Sequence, residues 1–328
     1  MSPKVRRHVD QIKPGCSIAR TKFRNQTMSI ASLYPFKVAL QPHTEARPRF
    51  SLTSDILSFR RCSKQYGAFG NDGFVAARAT QAFFGSAVHQ VLDLCHKHYA
   101  ESGGNLPTDS DIQGYFTEVQ NALRSHGVRA ASHSVAALAC EVLKRFNKLE
   151  GPDLYPRVKD TEFRIETERP NYLLRGVVDV LATDPNDSQN PAKMEIWDYK
   201  GSRAPKLSDP RLKEYKWQMT VYAELFRKKH GVYPKQAVLY FLNELAPGAQ
   251  PTKRPLRATH TLTFLPQDVQ QALKEFDTTA DEIIDCQEKR QWPDPAIPPG
   301  EETCDICDLR WNCKSPPTPY KRRLPIVT

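Results

Sequence analysis

Ile196-Trp197-Asp198-Tyr199-Lys200 is an apolar run broken by two charges, and Arg175-Gly176-Val177-Val178-Asp179 sets a further aspartate 19 residues before Asp198. Side chains alternate along a strand, so Asp198 and Lys200 share one face and Tyr199 takes the other. A lone D-x-K is most often a surface ion pair, but charges inside an otherwise apolar strand need a partner. Two carboxylates on neighbouring strands make a hard oxygen site suited to Mg²⁺ or Mn²⁺. A lysine beside them can hold a phosphate oxygen or orient a water.

The surrounding pattern gives the frame. Residues 161–166, 172–183 and 193–200 are short segments rich in Val, Ile, Leu and aromatics between Pro- and Asn-containing turns, and read as a strand meander. Upstream, Ile56, Phe59, Cys62 and Tyr66 recur on one face of a short helix within 51–66. Val88, Val91, Leu92, Cys95 and Tyr99 mark a helix over 86–99 with His89 beside the stripe, and two more helices fill 111–150, the second ending before Gly151-Pro152. Downstream, Leu212, Tyr215, Met219, Tyr222 and Phe226 predict a helix over 211–230. Residues 237–242 read as a strand, 260–264 as an edge strand, and Pro266 opens a long helix to about Arg290. The order predicts an α/β fold, a mixed central sheet flanked by helices.

The 328 residues carry 47 Lys and Arg against 37 Asp and Glu, a formal charge of +10. That charge sits at the ends: +8 in residues 1–50 and +4 in 314–328, leaving −2 for 51–313. The expected organisation is a basic, disordered extension over 1–50, a globular domain over 51–313 and a basic Pro-rich tail over 314–328. No apolar run approaches the length of a membrane span, so no membrane association is expected. Nothing resembles a secretory signal, so the eight cysteines are expected to be reduced and the protein intracellular, cytoplasmic or at the nucleoid. The Arg-rich, acid-poor N-terminus also fits a mitochondrial transit peptide. No G-x-x-x-x-G-K-[ST] loop occurs, so any unwinding must come from a partner.

Four ordered motifs give the chain a resemblance to the PD-(D/E)XK nucleases, in particular their RecB-like branch of recombination and CRISPR-associated exonucleases. Gly85-Ser86-Ala87-Val88-His89 resembles the family's G-x-x-x-H helix, and Gly176 with Asp179 its first metal aspartate. Asp198-Tyr199-Lys200 resembles its D/E-x-K strand, and Gln218-Met219-Thr220-Val221-Tyr222 its Q-x-x-x-Y helix. The resemblance implies a restriction-endonuclease-like core in which His89, Asp179, Asp198 and the Tyr199 carbonyl hold the metal. Lys200 then acts at the reacting phosphate, and Gln218 and Tyr222 seat the nucleic-acid backbone or Lys200. Glu162, in the strand before Asp179, fits a site carboxylate and a solvated strand edge equally well. The chain departs from the pattern at Gly201-Ser202, where Thr-Gly is common after the lysine, and at Ser63, where proline is usual after the cysteine. Neither change removes a catalytic atom.

Cys304, Cys307 and Cys313 form C-x₂-C-x₅-C in a turn-rich coil, three thiolates that suit an iron–sulfur cluster or Zn²⁺. The resemblance supplies Cys62 as the fourth ligand and favours a [4Fe-4S] cluster joining the two ends of the domain. Trp311 would shield such a cluster. Cys95, Cys140 and Cys286 lie on apolar helical faces and read as ordinary buried cysteines.

The expected activity is a metal-dependent DNA nuclease, an exonuclease on single-stranded or frayed ends, in recombination, repair or CRISPR-type processing. Arg60, Arg61 and Lys64 are expected to add phosphate contacts near the cluster. The alternative from another class is an iron–sulfur- or zinc-stapled DNA-binding subunit, active only within a helicase or integrase complex.

Overall fold

The computed structural model describes residues 47–71, 81–246, 252–295, 299, 303, 304, 307–311 and 313. The extension over 1–46 and the tail over 314–328 lie outside the described residues, as does the side chain of Trp311. All described residues belong to the unit that begins at Arg47.

The sheet is six-stranded and mixed: β1 (Arg49–Ser51), β2 (Val158–Glu168), β3 (Leu173–Ala182), β4 (Glu195–Lys200), β5 (Gln236–Phe241) and β6 (Thr259–Leu262). β3 is its hinge. One edge of β3 pairs antiparallel with β2 along its whole length. The other edge is shared: β1 joins in parallel at Leu173–Arg175, and β4 pairs antiparallel only at Val180–Ala182. β4 then continues beside β5 in parallel, and β6 closes the far edge. A fork is left between β1 and β4, opposite Gly176–Asp179. Residues 47–50, which the charge pattern assigns to the extension, are part of this domain, because β1 starts at Arg49 and Phe50 is buried.

Helices cover both faces, as binary patterning requires. α3 (Gln81–Glu101), α4 (Asp109–Ser125) and α5 (His133–Leu154) pack on Val180, Ala182, Trp197, Tyr199, Val238 and Tyr240. α6 (Pro210–His230) and α7 (Pro266–Lys289) pack on Leu174, Val178, Ile196, Leu239 and Phe241. Start and stop signals are where the chemistry places them. Thr108 and Asp111 form a reciprocal capping box on α4, Ser132 caps α5, Asp209 caps α6 with Pro210 in its first turn, and Gly231 ends α6 in the left-handed conformation. α5 runs through Gly151-Pro152 to Leu154 rather than stopping before them. Tyr155, just beyond its end, is buried against Tyr99 and His96, and this packing holds the last turn.

The N-terminal helical segment is not one helix. A turn over Leu52–Leu57 leads into α1 (Ser58–Arg61), the chain breaks at Cys62 (φ −162°, ψ 103°), and α2 (Ser63–Tyr66) resumes. The periodicity of Ile56, Phe59 and Tyr66 survives because all three are buried.

Candidate active site and cysteine corner

The fork in the sheet opens into a cleft of about 600 Å³. β4 runs past its last pairing with β3 at Trp197, so the Tyr199 amide has no ladder partner on that side. The Asp179 carboxylate supplies one: Tyr199 N–H donates to Asp179 Oδ2 at 2.6 Å. His89, on α3, brings Nδ1 to 3.4 Å from the same oxygen.

Glu162 lies across the ladder from Asp179, between the pairs Thr161–Val180 and Phe163–Val178. Its backbone is left-handed (φ 48°), a costly conformation for a non-glycine residue in mid-strand. Here the strand also changes allegiance: Val178 packs toward α6 and α7, whereas Val180, two residues on, packs toward α3–α5. The irregularity aims the carboxylates of Glu162 and Asp179 into the cleft. One ligand atom each from His89, Glu162 and Asp179 lies within 4.8 Å of the others, the sole such group of three or more His, Cys, Asp or Glu among the described residues. One imidazole nitrogen and two carboxylate oxygens fit Mg²⁺ or Mn²⁺.

Asp198 does not belong to that group. It is buried on the α6 side of β4, with Oδ2 2.6 Å from Lys200 Nζ in an ion pair that lacks hydrogen-bond alignment. Gln218 ties the pair to α6. It accepts from Lys200 Nζ at 2.9 Å through Oε1, while its Nε2 donates to Asp198 Oδ1 at 3.1 Å and to the Tyr222 hydroxyl at 3.2 Å. Lys200 Nζ also lies 4.7 Å from the centre of the Tyr215 ring. Gly176 allows α6 this close: a Cβ there would meet Leu225 Cδ1 at 2.6 Å and Tyr222 Cε1 at 2.9 Å. All seven side-chain positions drawn from the four motifs and Glu162, namely His89, Glu162, Asp179, Asp198, Lys200, Gln218 and Tyr222, therefore line one cleft.

The electrostatics follow. Desolvation, the largest influence on His89, favours the neutral ring, but the charge and hydrogen bond of Asp179, with the charge of Asp198, outweigh it and raise the pKa to about 9. Burial pushes the Asp198 carboxyl upward; Lys200 opposes this and Asp179 adds to it. Partial desolvation and then Asp179 raise Glu162. The Tyr199 ring faces away from the cleft, with its hydroxyl 3.1 Å from His96 Nε2 and edge-on to Phe146. Burial lowers the pKa of His96 to about 4.

The cysteines occupy a separate corner. Cys62 is half-buried at the break between α1 and α2; burial raises its thiol, the amides of Gln65 and Lys64 offset part of this, and the nearby Cys307 and Cys313 raise it further. Cys307 N–H donates to the Cys304 carbonyl at 3.1 Å, keeping both in one turn. The C-terminal segment docks on α2 through the Ser63 hydroxyl, which donates to the Pro293 carbonyl at 2.7 Å, and through an ion pair of Lys64 with Asp294. Trp292 packs edge-on against Tyr66 and Phe59, over Gly67, where a Cβ would come within 2.2 Å of the indole. Cys62 thus lies near enough to Cys307 and Cys313 for their charges to act on it, but no three of the four thiols lie within 4.8 Å of one another, the separation a single ion such as Zn²⁺ needs.

The basic residues of this region are committed elsewhere. Arg60 donates to Thr279 Oγ1 at 2.9 Å and stacks 4.2 Å over Trp217, and Arg61 pairs with Glu214 at 2.6 Å. Lys64 pairs with Asp294, so each of the three basic side chains has a partner within the domain. Cys95, Cys140 and Cys286 are buried, as their helical faces require.

The family model of the PD-(D/E)XK nuclease superfamily matches residues 51–314, and the chain belongs to that superfamily. It is a nuclease by class, a phosphodiesterase on a restriction-endonuclease-like core, and nucleic acid is its substrate. Among solved structures it is similar to a Eubacterium rectale protein provisionally described as an exonuclease (14% identity, 83% of this chain and 91% of that one, TM-score 0.46). It is also similar to a protein designated SSO0001 (12% identity, 84% and 90%, TM-score 0.37). No curated protein matches the chain. No helix among the described residues is long and apolar enough to cross a membrane.

Proposed function

We propose that this protein is a metal-dependent DNA nuclease acting as an exonuclease on single-stranded or frayed ends. The observation that carries the reading is the convergence of His89, Glu162 and Asp179 within 4.8 Å beside the Lys200–Asp198–Gln218 network in one cleft. His89, Glu162 and Asp179 would hold the cation, with Asp198 and the Tyr199 carbonyl beside them. A bound Mg²⁺ or Mn²⁺ would polarise a phosphate oxygen and acidify a water. The Lys200 ammonium stabilises the negative charge that grows on the phosphate under attack. Gln218 holds Lys200 and Asp198 at fixed separation, and Tyr222 holds Gln218.

Cys62, Cys304, Cys307 and Cys313 are the proposed ligands of a [4Fe-4S] cluster whose role is to fasten the last coil to α2. A brown preparation with broad visible absorption, bleached by air, is the expected outcome; a colourless protein with one zinc per chain rejects the cluster. The basic ends, 1–50 and 314–328, are proposed to add salt-sensitive affinity for DNA without shaping the site.

The nuclease reading is tested on anaerobically purified protein with end-labelled single- and double-stranded DNA. Mn²⁺- or Mg²⁺-dependent cleavage should be lost in Asp198→Ala and Lys200→Ala variants whose folding is verified. Undiminished cleavage by both would overturn the assignment.

A further inference from the structure

Two arginines in the cleft, Arg164 and Arg175, make no ion pair there, although the charge of Arg164 opposes the rise in the Glu162 pKa. On the β2–β3 ladder, Glu162 and Asp179 form one row, Arg164 pairs with Val177 two residues along, and Arg175 pairs with Glu166 two residues further. Alternation keeps Glu162, Arg164 and Glu166 on one face of β2, and Arg175, Val177 and Asp179 on the corresponding face of β3. Both arginines are exposed and line the cleft with the carboxylates. Neither guanidinium is within ion-pair distance of any described acidic group. Glu166, the cross-strand neighbour of Arg175, is engaged instead by Arg49 at 3.8 Å.

A rise of 3.2–3.4 Å per residue puts Arg164 about 7 Å, and Arg175 about 13 Å, from the carboxylate row. This is the order of spacing of successive phosphates in an extended strand. The ladder ends where β1 joins β3: Ser51 pairs with Arg175, and the exposed Thr53 and Ser54 stand at the same end of the cleft. Exposed, uncommitted guanidinium groups at such intervals contrast with Arg60 and Arg61, which are held by Thr279, Trp217 and Glu214.

We propose that Arg164 and Arg175 bind the first and second phosphates beyond the scissile one on a single DNA strand laid along β2 and β3 toward Ser51–Ser54. The proposal rests on the reading of the cleft as the cleavage site and adds the path of the strand. The two cations lie along one line, so they follow one backbone. They are exposed and make no ion pair, so substitution leaves the core intact.

The test measures binding of a short single-stranded oligonucleotide in EDTA, where cleavage does not interfere, across a range of salt. Each of Arg164→Gln and Arg175→Gln should weaken binding about tenfold. Each should also flatten the slope of log K against log salt by about 0.7, with the double variant losing about 1.4. Arg→Lys variants should keep the wild-type slope. A methylphosphonate at the phosphate neighbouring the scissile one should weaken wild-type binding but leave Arg164→Gln unaffected. A double variant with the wild-type slope overturns the proposal, as does an equal loss of slope on a blunt duplex. Cleavage is assayed in parallel. Absent cleavage with the slopes lost as stated would refute the nuclease reading alone, and normal cleavage with unchanged slopes would refute the strand path alone.

Discussion

In the carboxylate cleft most functional side chains stand on long elements: His89 on a 21-residue helix, Glu162 and Asp179 on 11- and 10-residue strands, and Gln218 and Tyr222 on a second 21-residue helix, with Asp198 and Lys200 on the six-residue central strand β4. At the cysteine corner Cys62 sits between two helices of four residues each, and its partners arrive on a coil held by Trp292, Pro293 and Asp294. The cleft is fixed by sheet register and by the hydrogen bonds that Asp179 accepts from Tyr199 and that Gln218 makes with Lys200, Asp198 and Tyr222. The corner closes a loop of about 250 residues, an entropic cost that the proposed ligation of the thiols would offset. The first site is pre-organised by the fold, whereas the second, with the proposed cluster bound, would organise the fold.

This contrast can be broken by substitution. Replacing Asp198 or Asp179 by alanine should lower the cleavage rate by about a thousandfold or more while the melting temperature stays within a few degrees, read by end-labelled cleavage and circular dichroism. A collapse of folding in both variants would show that the cleft, too, organises the fold. Cys62→Ser should do the reverse. It should remove the bound iron or zinc and cost about 3 kcal/mol of stability, a fall of roughly 10 °C in Tm, with cleavage per folded molecule nearly unchanged.

Acid sharpens the comparison from beneath the cleft. His96 is buried with a pKa of about 4, against 6.5 in the unfolded chain, so the folded state resists protonation. The stabilisation is fully present above about pH 6.5 and is lost as pH falls from there toward 4, amounting to about 2 kcal/mol at pH 5. Urea melts from pH 8 to 5 should show this loss in the wild type and its absence in His96→Gln. The smallest effect is expected at Gly176→Ala, about 1–2 kcal/mol, because the new methyl meets Leu225 and Tyr222. A shift in the Tyr222 or Gln218 side-chain NMR signals would report the accompanying displacement of α6.

Periodicity revealed most of the fold because the long helices and paired strands alternate cleanly between buried and exposed positions. Residues 161–166 and 172–183 read as strands; the first is the centre of β2 and the second encloses β3 with one residue to spare at each end. β1 is three residues long, too short for a pattern to register. The motif residues could be read individually, and Asp198 and Lys200 share the face that alternation assigns them. Two features could not be read. The left-handed backbone at Glu162 leaves no trace in a local pattern of alternating residues. The partners of Arg60 and Arg61 come from 219 and 153 residues away, so no local pattern announces these tertiary links.

β4 carries a last consequence. Five of its six residues are buried, with Trp197 and Tyr199 on one side and Asp198 and Lys200 on the other. A slip of one residue against β5 would drive both charges into the aromatic layer and both aromatics against Gln218. Correct strand pairing and assembly of the Lys200 network are therefore one event. A population of this protein that refolds imperfectly should contain fully competent molecules and inert ones, with no partially active species between them.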